Sequence, residues 1–429
     1  MRNIQSIPGS DDILRTVLPN QIVLLARENS LSPSVVISGY LPGGSVLDPV
    51  DRSGLAIFLS LALMRGTETN SFEQIFRKLE DNGASLGFNA GFHSFSFAGQ
   101  SLAEDLPTML DLLSDILRSP IFPENHLTQI RDQILTTLAI RSQDTAEMAS
   151  IAFDQALFGS HPYGRDKLGT PESVQSVTRS DLIRHHAQYF KPQGMVISIV
   201  GGIEPEKAAD LVRKYFTDWE AGPQAIPNLP DFPKVTKPEK GSATHIEIPE
   251  KSQLDLVIGS IAPERKSPQY QPARLGNCIL GEFGMMGRIG RVVRDENGLA
   301  YYAGSDVNCL PLGGSWEISA GINPENLDRT IDLIRSEIRK FVSTPVEPNE
   351  LSDVQSYYLG RMPLQLESNT GIANELLSIE RYQLGLDYLR QYSDIIRAVT
   401  REQILETAAT YLDPDRLTLA TAGTLRGKA

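Results

Sequence analysis

The sequence predicts an α+β protein of two homologous domains, each a mixed, mostly antiparallel sheet with helices packed on one side. Three observations predict it. One series of landmarks occurs twice at a constant offset, a proline-rich tract separates the two copies, and within each copy several alternating strands precede the long helical patterns. Strands that come ahead of helices, rather than alternating with them one for one, disfavour a doubly wound parallel sheet.

The repetition carries most of this reading, because agreement in order and spacing marks duplicated units. In the first copy Val177-Thr178-Arg179 opens an amphipathic segment from Asp181 to Phe190, followed by Pro192 and a strand from Met195 to Val200 ending in Gly201-Gly202. The second copy has Val399-Thr400-Arg401, a segment from Gln403 to Tyr411, Pro414 and a strand from Leu417 to Gly423, displaced by 222 residues. Pro123 and Pro348 open further helices at a similar offset. Period-two alternation predicts strands at Ile22 to Ala26, Ser34 to Tyr40 and Phe92 to Gly99, then at His245 to Ile248, Leu254 to Ile258 and Ser315 to Ala320. Apolar residues at three- and four-residue spacing predict helices from Asp105 to Leu117 and from Leu327 to Phe341.

From Trp219 to Gly241 the prolines 223, 227, 230, 233 and 238 fix φ and remove donors that a sheet or helix needs. The expected division is residues 1–220, a linker at 221–241, and residues 242–429.

Composition narrows the function. The chain has 429 residues and 22% charged side chains, with 40 Lys and Arg against 53 Asp and Glu, a formal charge of -13. A field of that sign gathers neither nucleic acid nor an anionic bilayer. Two cysteines, Cys278 and Cys309, make neither a disulfide framework nor a thiolate metal cage. The mixed polar start of the chain shows no signal-peptide core. The most apolar stretch, Leu55 to Met64, is roughly half the length of a membrane-crossing helix. A cytoplasmic location and no membrane span are therefore expected.

The segment Gly54-Leu-Ala-Ile-Phe-Leu-Ser-Leu-Ala-Leu-Met-Arg-Gly-Thr67, followed by Leu79-Glu-Asp-Asn-Gly-Ala-Ser-Leu86 and a strand near Phe92, resembles the pitrilysin or insulinase-type zinc peptidases, in their short, mitochondrial-processing-peptidase-like form. The resemblance runs over nearly the whole chain. In active members this helix carries H-x-x-E-H, two His ligands one turn apart and a Glu that polarises the zinc-bound water. Aligned on Gly54, Ala56 and Gly66-Thr67, those positions are Ile57, Ser60 and Leu61 here. The family's further Glu ligand, on a later helix, corresponds to Thr137. The resemblance thus implies a degenerate zinc site and no metal bound by this chain. Without the family, Ile57 and Leu61 read as ordinary core residues, and both readings agree on inactivity.

Near Gly281, Gly284, Gly287 and Gly290, the stretch from Arg294 to Tyr301 resembles the family's Arg followed seven residues later by Tyr. In the family this pair meets the substrate at the zinc: the guanidinium bonds a carbonyl and the phenol donates to the oxyanion. The other reading of the same residues is a solvated ion pair of Arg294 with Asp295 or Glu296, and a core position for Tyr301. The glycines fit no nucleotide loop. They read as close backbone packing, or as contact with substrate.

In two-chain members each subunit forms half of a clamshell, and some pairs divide zinc and Arg/Tyr between them. The resemblance therefore implies a non-catalytic subunit whose partner is a homologous chain with an intact H-x-x-E-H motif and zinc, acting on a peptide substrate. The alternative is a proteolytically inactive scaffold or peptide-binding core-type protein. A weaker third reading is a homodimer that encloses peptides without cutting them. None of the His residues 93, 126, 161, 185, 186 and 245 restores a ligand set, since adjacent His185 and His186 diverge by about 100° on a helix and the others are dispersed.

Overall fold

The computed structural model describes residues 7–220, 232–237, 239–282 and 287–425. Most of the expected linker, 221–231 and 238, lies outside the described residues. The chain forms two compact units. Met1–Leu138, Asp166–Pro230 and Met362–Tyr392 make the first; Ala139–Arg165, Asp231–Arg361 and Ser393–Ala429 make the second. Neither is one contiguous stretch.

The first unit is built on six strands: β1 (Leu14–Val17), β2 (Val23–Glu28), β3 (Ser34–Pro42), β4 (Ser85–Ala90), β5 (Ser94–Leu102) and β6 (Val196–Gly201). Their order is β1-β2-β6-β3-β5-β4, antiparallel throughout except for the parallel pair β2 and β6. All of β6 is buried because apolar side chains meet both of its faces. Ile197 and Ile199 join Leu24, Val35 and Ile37 in the main core, which also takes the helices Leu55–Ala62 and Leu106–Arg118. Val196 and Val200 join Leu25 and Val36 against Ile372, Ala373, Leu376 and Ile379 of the helix Asn369–Tyr382.

The second unit repeats the plan with β7 (Ser242–Glu247), β8 (Leu254–Ala262), β9 (Ala300–Leu310), β10 (Gly313–Ile322) and β11 (Thr418–Gly423), in the order β7-β11-β8-β10-β9. Only β7 and β11 are parallel. Val257, Ala420 and Ala422 pack under Ala149, Ala152, Phe153 and Leu157 of the helix Thr145–Phe158. Deeper in the unit, Trp316 stands edge-on to Phe341 of the helix Leu327–Phe341, and its indole N–H donates to Asn277 at 3.0 Å.

The α+β architecture in two sheet-based units is therefore present. Each sheet is covered on both faces, however, where the sequence suggested one. The reason is an exchange: the helix Thr145–Phe158 comes from the first copy but covers the second sheet, and Asn369–Tyr382 comes from the second copy but covers the first. Among the described residues no helix is long and apolar enough to cross a membrane.

The repeated Val-Thr-Arg landmark has a local cause. Thr178 and Thr400 are N-caps, each accepting from the amide three residues on (Asp181, Gln403) while that residue's side chain accepts from the cap amide at 2.9 Å. Reciprocal capping fixes where both helices, Arg179–Tyr189 and Arg401–Tyr411, begin. Loss of such a cap costs about 1 kcal/mol. Thr178→Ala and Thr400→Ala are each expected to lower the unfolding free energy of their own unit by that amount, read as a lower denaturant midpoint at unchanged m, with Thr→Ser at either position retaining most of it.

Candidate functional site

The helix Leu55–Ala62 is held at its start by Asp48, whose buried carboxylate accepts from the amides of Gly54 at 3.1 Å and Ala56 at 3.0 Å. Gly54 supplies the left-handed backbone (φ 94°) that turns the chain into this helix. Ile57 and Leu61 lie one turn apart, half-buried and packed on the main core. Ser60 is buried, and its hydroxyl donates to the Ile57 carbonyl at 2.8 Å. Thr137 is exposed on the helix Glu124–Arg141 and donates to the Gln133 carbonyl at 2.9 Å.

These four side chains do not fit a zinc ion. Two have no lone pair to offer, and both hydroxyls are engaged by carbonyls of their own helices; zinc takes imidazole, thiolate or carboxylate. Among the described residues no three His, Cys, Asp or Glu side chains are grouped to hold a metal.

In the second unit, Arg294 lies in the π-helical turn Arg291–Asp295 and is exposed. The turn is tied by Gly298 N–H to the Arg294 carbonyl at 2.9 Å, by Leu299 N–H to the Val293 carbonyl at 3.0 Å, and by Asn297, which donates to the Val292 carbonyl at 2.8 Å and accepts from Arg329 at 2.8 Å. Glu296 pairs with Arg291 at 3.6 Å rather than with Arg294.

Tyr301 sits where β9 and β10 lose register: Gly321 faces Tyr302 and Ile322 faces Ala300, which leaves Tyr301 as the extra residue of a bulge. A bulge re-aims a side chain, and Tyr301 is 68% exposed. It is not in the core. Among the described residues neither the Arg294 guanidinium nor the Tyr301 hydroxyl is engaged in a hydrogen bond.

Two of the glycines ahead of Arg294 serve packing. A Cβ on Gly287 would stand 2.7 Å from the Gly281 Cα, and one on Gly281 would stand 2.5 Å from the Ser305 amide nitrogen; Gly284 lies outside the described residues. Cys278 and Cys309 are both free, and burial pushes both thiols up to about 12. The strand expected from Phe92 to Gly99 is largely β5, which forms a hairpin with β4, and β4 is an edge of the first sheet.

The histidines are used locally. The His161 Nδ1 accepts from the Tyr163 amide at 3.1 Å, and His245 contacts Thr421 and Glu247. His186 Nε2 bonds the Leu117 carbonyl at 2.9 Å. Neither the bulge at Tyr301 nor the buried polar cluster beneath Tyr302 has a sequence signal beyond the Tyr301-Tyr302 pair itself.

Two sheet-and-helix units built on one plan are the fold of a metallopeptidase-like chain. Residues 23–170 match the family described as Insulinase (Peptidase family M16), and residues 176–358 match the Peptidase M16 inactive domain. The chain belongs to peptidase family M16. It is 24% identical over 401 residues to an uncharacterized zinc protease of Mycobacterium leprae, covering 92% of this chain and 88% of that one. It is also 24% identical over 393 residues to the mitochondrial-processing peptidase subunit beta of Saccharomyces cerevisiae, covering 86% and 81%. The fold matches the crystal structure of a peptidase M16 inactive domain from Pseudomonas fluorescens with a TM-score of 0.88 at 24% identity, over 96% of this chain and 98% of that one. A protease from Helicobacter pylori matches with a TM-score of 0.89 at 18% identity, over 97% and 100%.

Each unit has one tryptophan, Trp219 in the first and Trp316 in the second, so their pH responses are separable. Burial pushes His185 and His186 down to about 4, below an unfolded value near 6.5. The unfolded state then binds more protons between those values, so their contribution is full above pH 6.5 and is lost as pH falls toward 4. In the second unit burial, and then the charges of Asp154 and Asp306, push Glu317 up to about 7. Its folded state binds more protons, so that contribution is full below about 4.5 and is lost as pH rises to 7. Trp219 fluorescence in a Trp316→Phe chain should report a midpoint that falls on acidification across this window, and less so with His185→Gln and His186→Gln. Trp316 fluorescence in a Trp219→Phe chain should report a fall with rising pH that Glu317→Gln removes.

Proposed function

We propose that this chain is the non-catalytic subunit of a heterodimeric zinc metalloendopeptidase, binding no metal itself and presenting Arg294 and Tyr301 to peptide at the zinc site of a homologous partner with an intact H-x-x-E-H motif. The observation that carries this is a conjunction within one chain. The four positions that would hold zinc, Ile57, Ser60, Leu61 and Thr137, offer only aliphatic and hydroxyl side chains, while Arg294 and Tyr301 stand exposed with their donors unused among the described residues. A guanidinium bonds a peptide carbonyl through charge-assisted hydrogen bonds. A phenol donates to the oxygen on which negative charge develops. Likeness to a protein named as a subunit of a processing peptidase supports a two-chain assembly.

The test mixes this chain with a partner carrying H-x-x-E-H and follows peptide cleavage. Removing one oxyanion donor typically costs roughly 100- to 1000-fold in kcat. Tyr301→Phe is therefore expected to lower kcat by about 100-fold with complex formation unchanged by light scattering, and Arg294→Ala to weaken cleavage through the substrate's backbone contact. Full activity in the doubly substituted complex would defeat the proposal and favour an inactive scaffold or peptide-binding protein.

A further inference from the structure

Tyr301 projects from an exposed edge, because β9 has a neighbour, β10, on one side only. Edge strands fray, and a bulge removes ladder bonds at the point where Tyr301 leaves the sheet. Something else must hold the start of β9. The next residue, Tyr302, turns its ring across β10 and donates from its hydroxyl to Asp255 Oδ1 at 2.7 Å.

Asp255 is on β8, two strands away, and is 1% exposed. The row is in register: Gly321 of β10 faces Tyr302 on one side and Asp255 on the other. The ring crosses there because position 321 has no side chain. A Cβ would stand 2.5 Å from Tyr302 Cε1, 2.6 Å from Gln253 Nε2 and 2.9 Å from Asp255 Oδ1.

The carboxylate is fully occupied. Gln253 Nε2 lies 3.0 Å from each of its oxygens, and Thr145, at the start of the exchanged helix Thr145–Phe158, donates to Oδ2. A buried carboxylate satisfied by three neutral donors, with no ion pair among the described residues, is costly to keep and has one geometry in which every donor is used. Hydrophobic packing would stabilise this corner at lower cost. A directional network instead fixes where the phenol of Tyr302, and hence the bulge beside it, must lie.

We propose that Asp255 is a positioning residue for Tyr301: by holding Tyr302 across Gly321 it pins the bulge at the free edge of the second sheet and so sets the direction in which the Tyr301 phenol points. The functional half of this rests on the role proposed above for Tyr301; the anchoring half stands on this chain alone.

Two arms of one experiment separate them. On the isolated chain, hydrogen exchange at residues 300–303 is compared with that of the central strand β8 in Tyr302→Phe and in Asp255→Asn, with Thr145→Val as a milder variant should either fail to fold. At least tenfold faster exchange at 300–303, with β8 protection retained, is expected, and unchanged exchange there would overturn the anchoring. In the mixed complex, Tyr302→Phe is expected to lower kcat about tenfold with KM unchanged, and to have no further effect once Tyr301→Phe is present. An equal loss in both backgrounds would show a general structural role and overturn the positioning of Tyr301. A silent Tyr301→Phe in the second arm, with the first arm responding, would overturn the reading of Tyr301 as a catalytic donor while leaving the anchoring established.

Discussion

A divalent cation is held by lone pairs, and on the function proposed above the helix Leu55–Ala62 sets aliphatic side chains at the positions where a zinc ion would need imidazoles. Ile57 and Leu61 occupy one face, a turn apart, and rest on the core. The hydroxyl of Ser60 bonds backward to Ile57, as that of Thr137 does to Gln133. A hydroxyl so placed neither ligates zinc nor acts as a general base near neutral pH. Packing and local hydrogen bonds occupy all four side chains, so no single substitution among them supplies a zinc ligand set.

What the first unit lacks contrasts with what the second exposes. Arg294 is carried on a turn tied by three hydrogen-bonded residues, and Tyr301 on a bulge anchored through its neighbour to a buried carboxylate. Both belong to the second unit, whose sheet is covered on one face by the exchanged helix Thr145–Phe158 and on the other by helices of its own copy. Thr145 begins one of those helices and also satisfies Asp255, so packing of the exchanged helix and placement of the edge strand are coupled at one residue.

Much of this was legible in the sequence, for identifiable reasons. The duplicated Val-Thr-Arg is a pair of capping boxes, a local signal that tertiary structure does not override, and the helix Leu327–Phe341 matches its apolar spacing. Strands β3, β8 and β10 alternate or run apolar because they are central. Strand β9 escaped detection because it is an edge: Gly304, Asp306 and Asn308 are poor strand formers that an edge tolerates. The helix exchange is invisible to periodicity, which tells how wide an apolar face is but not which sheet it covers. The bulge at Tyr301 depends on register, and the Asp255 cluster on residues up to 176 positions apart (Thr145 to Gly321) meeting at a glycine; no local pattern encodes either.

The central claim, that this chain cannot hold a catalytic metal and that cleavage requires another polypeptide's zinc, is tested most directly by native mass spectrometry. The chain alone and the mixed complex are each equilibrated with zinc, and peptide hydrolysis is assayed on the same samples. The account predicts no stoichiometric zinc and no cleavage for the chain alone, and one zinc per mixed dimer accompanied by activity. One zinc per isolated chain, with proteolysis that scales with it, would contradict the account.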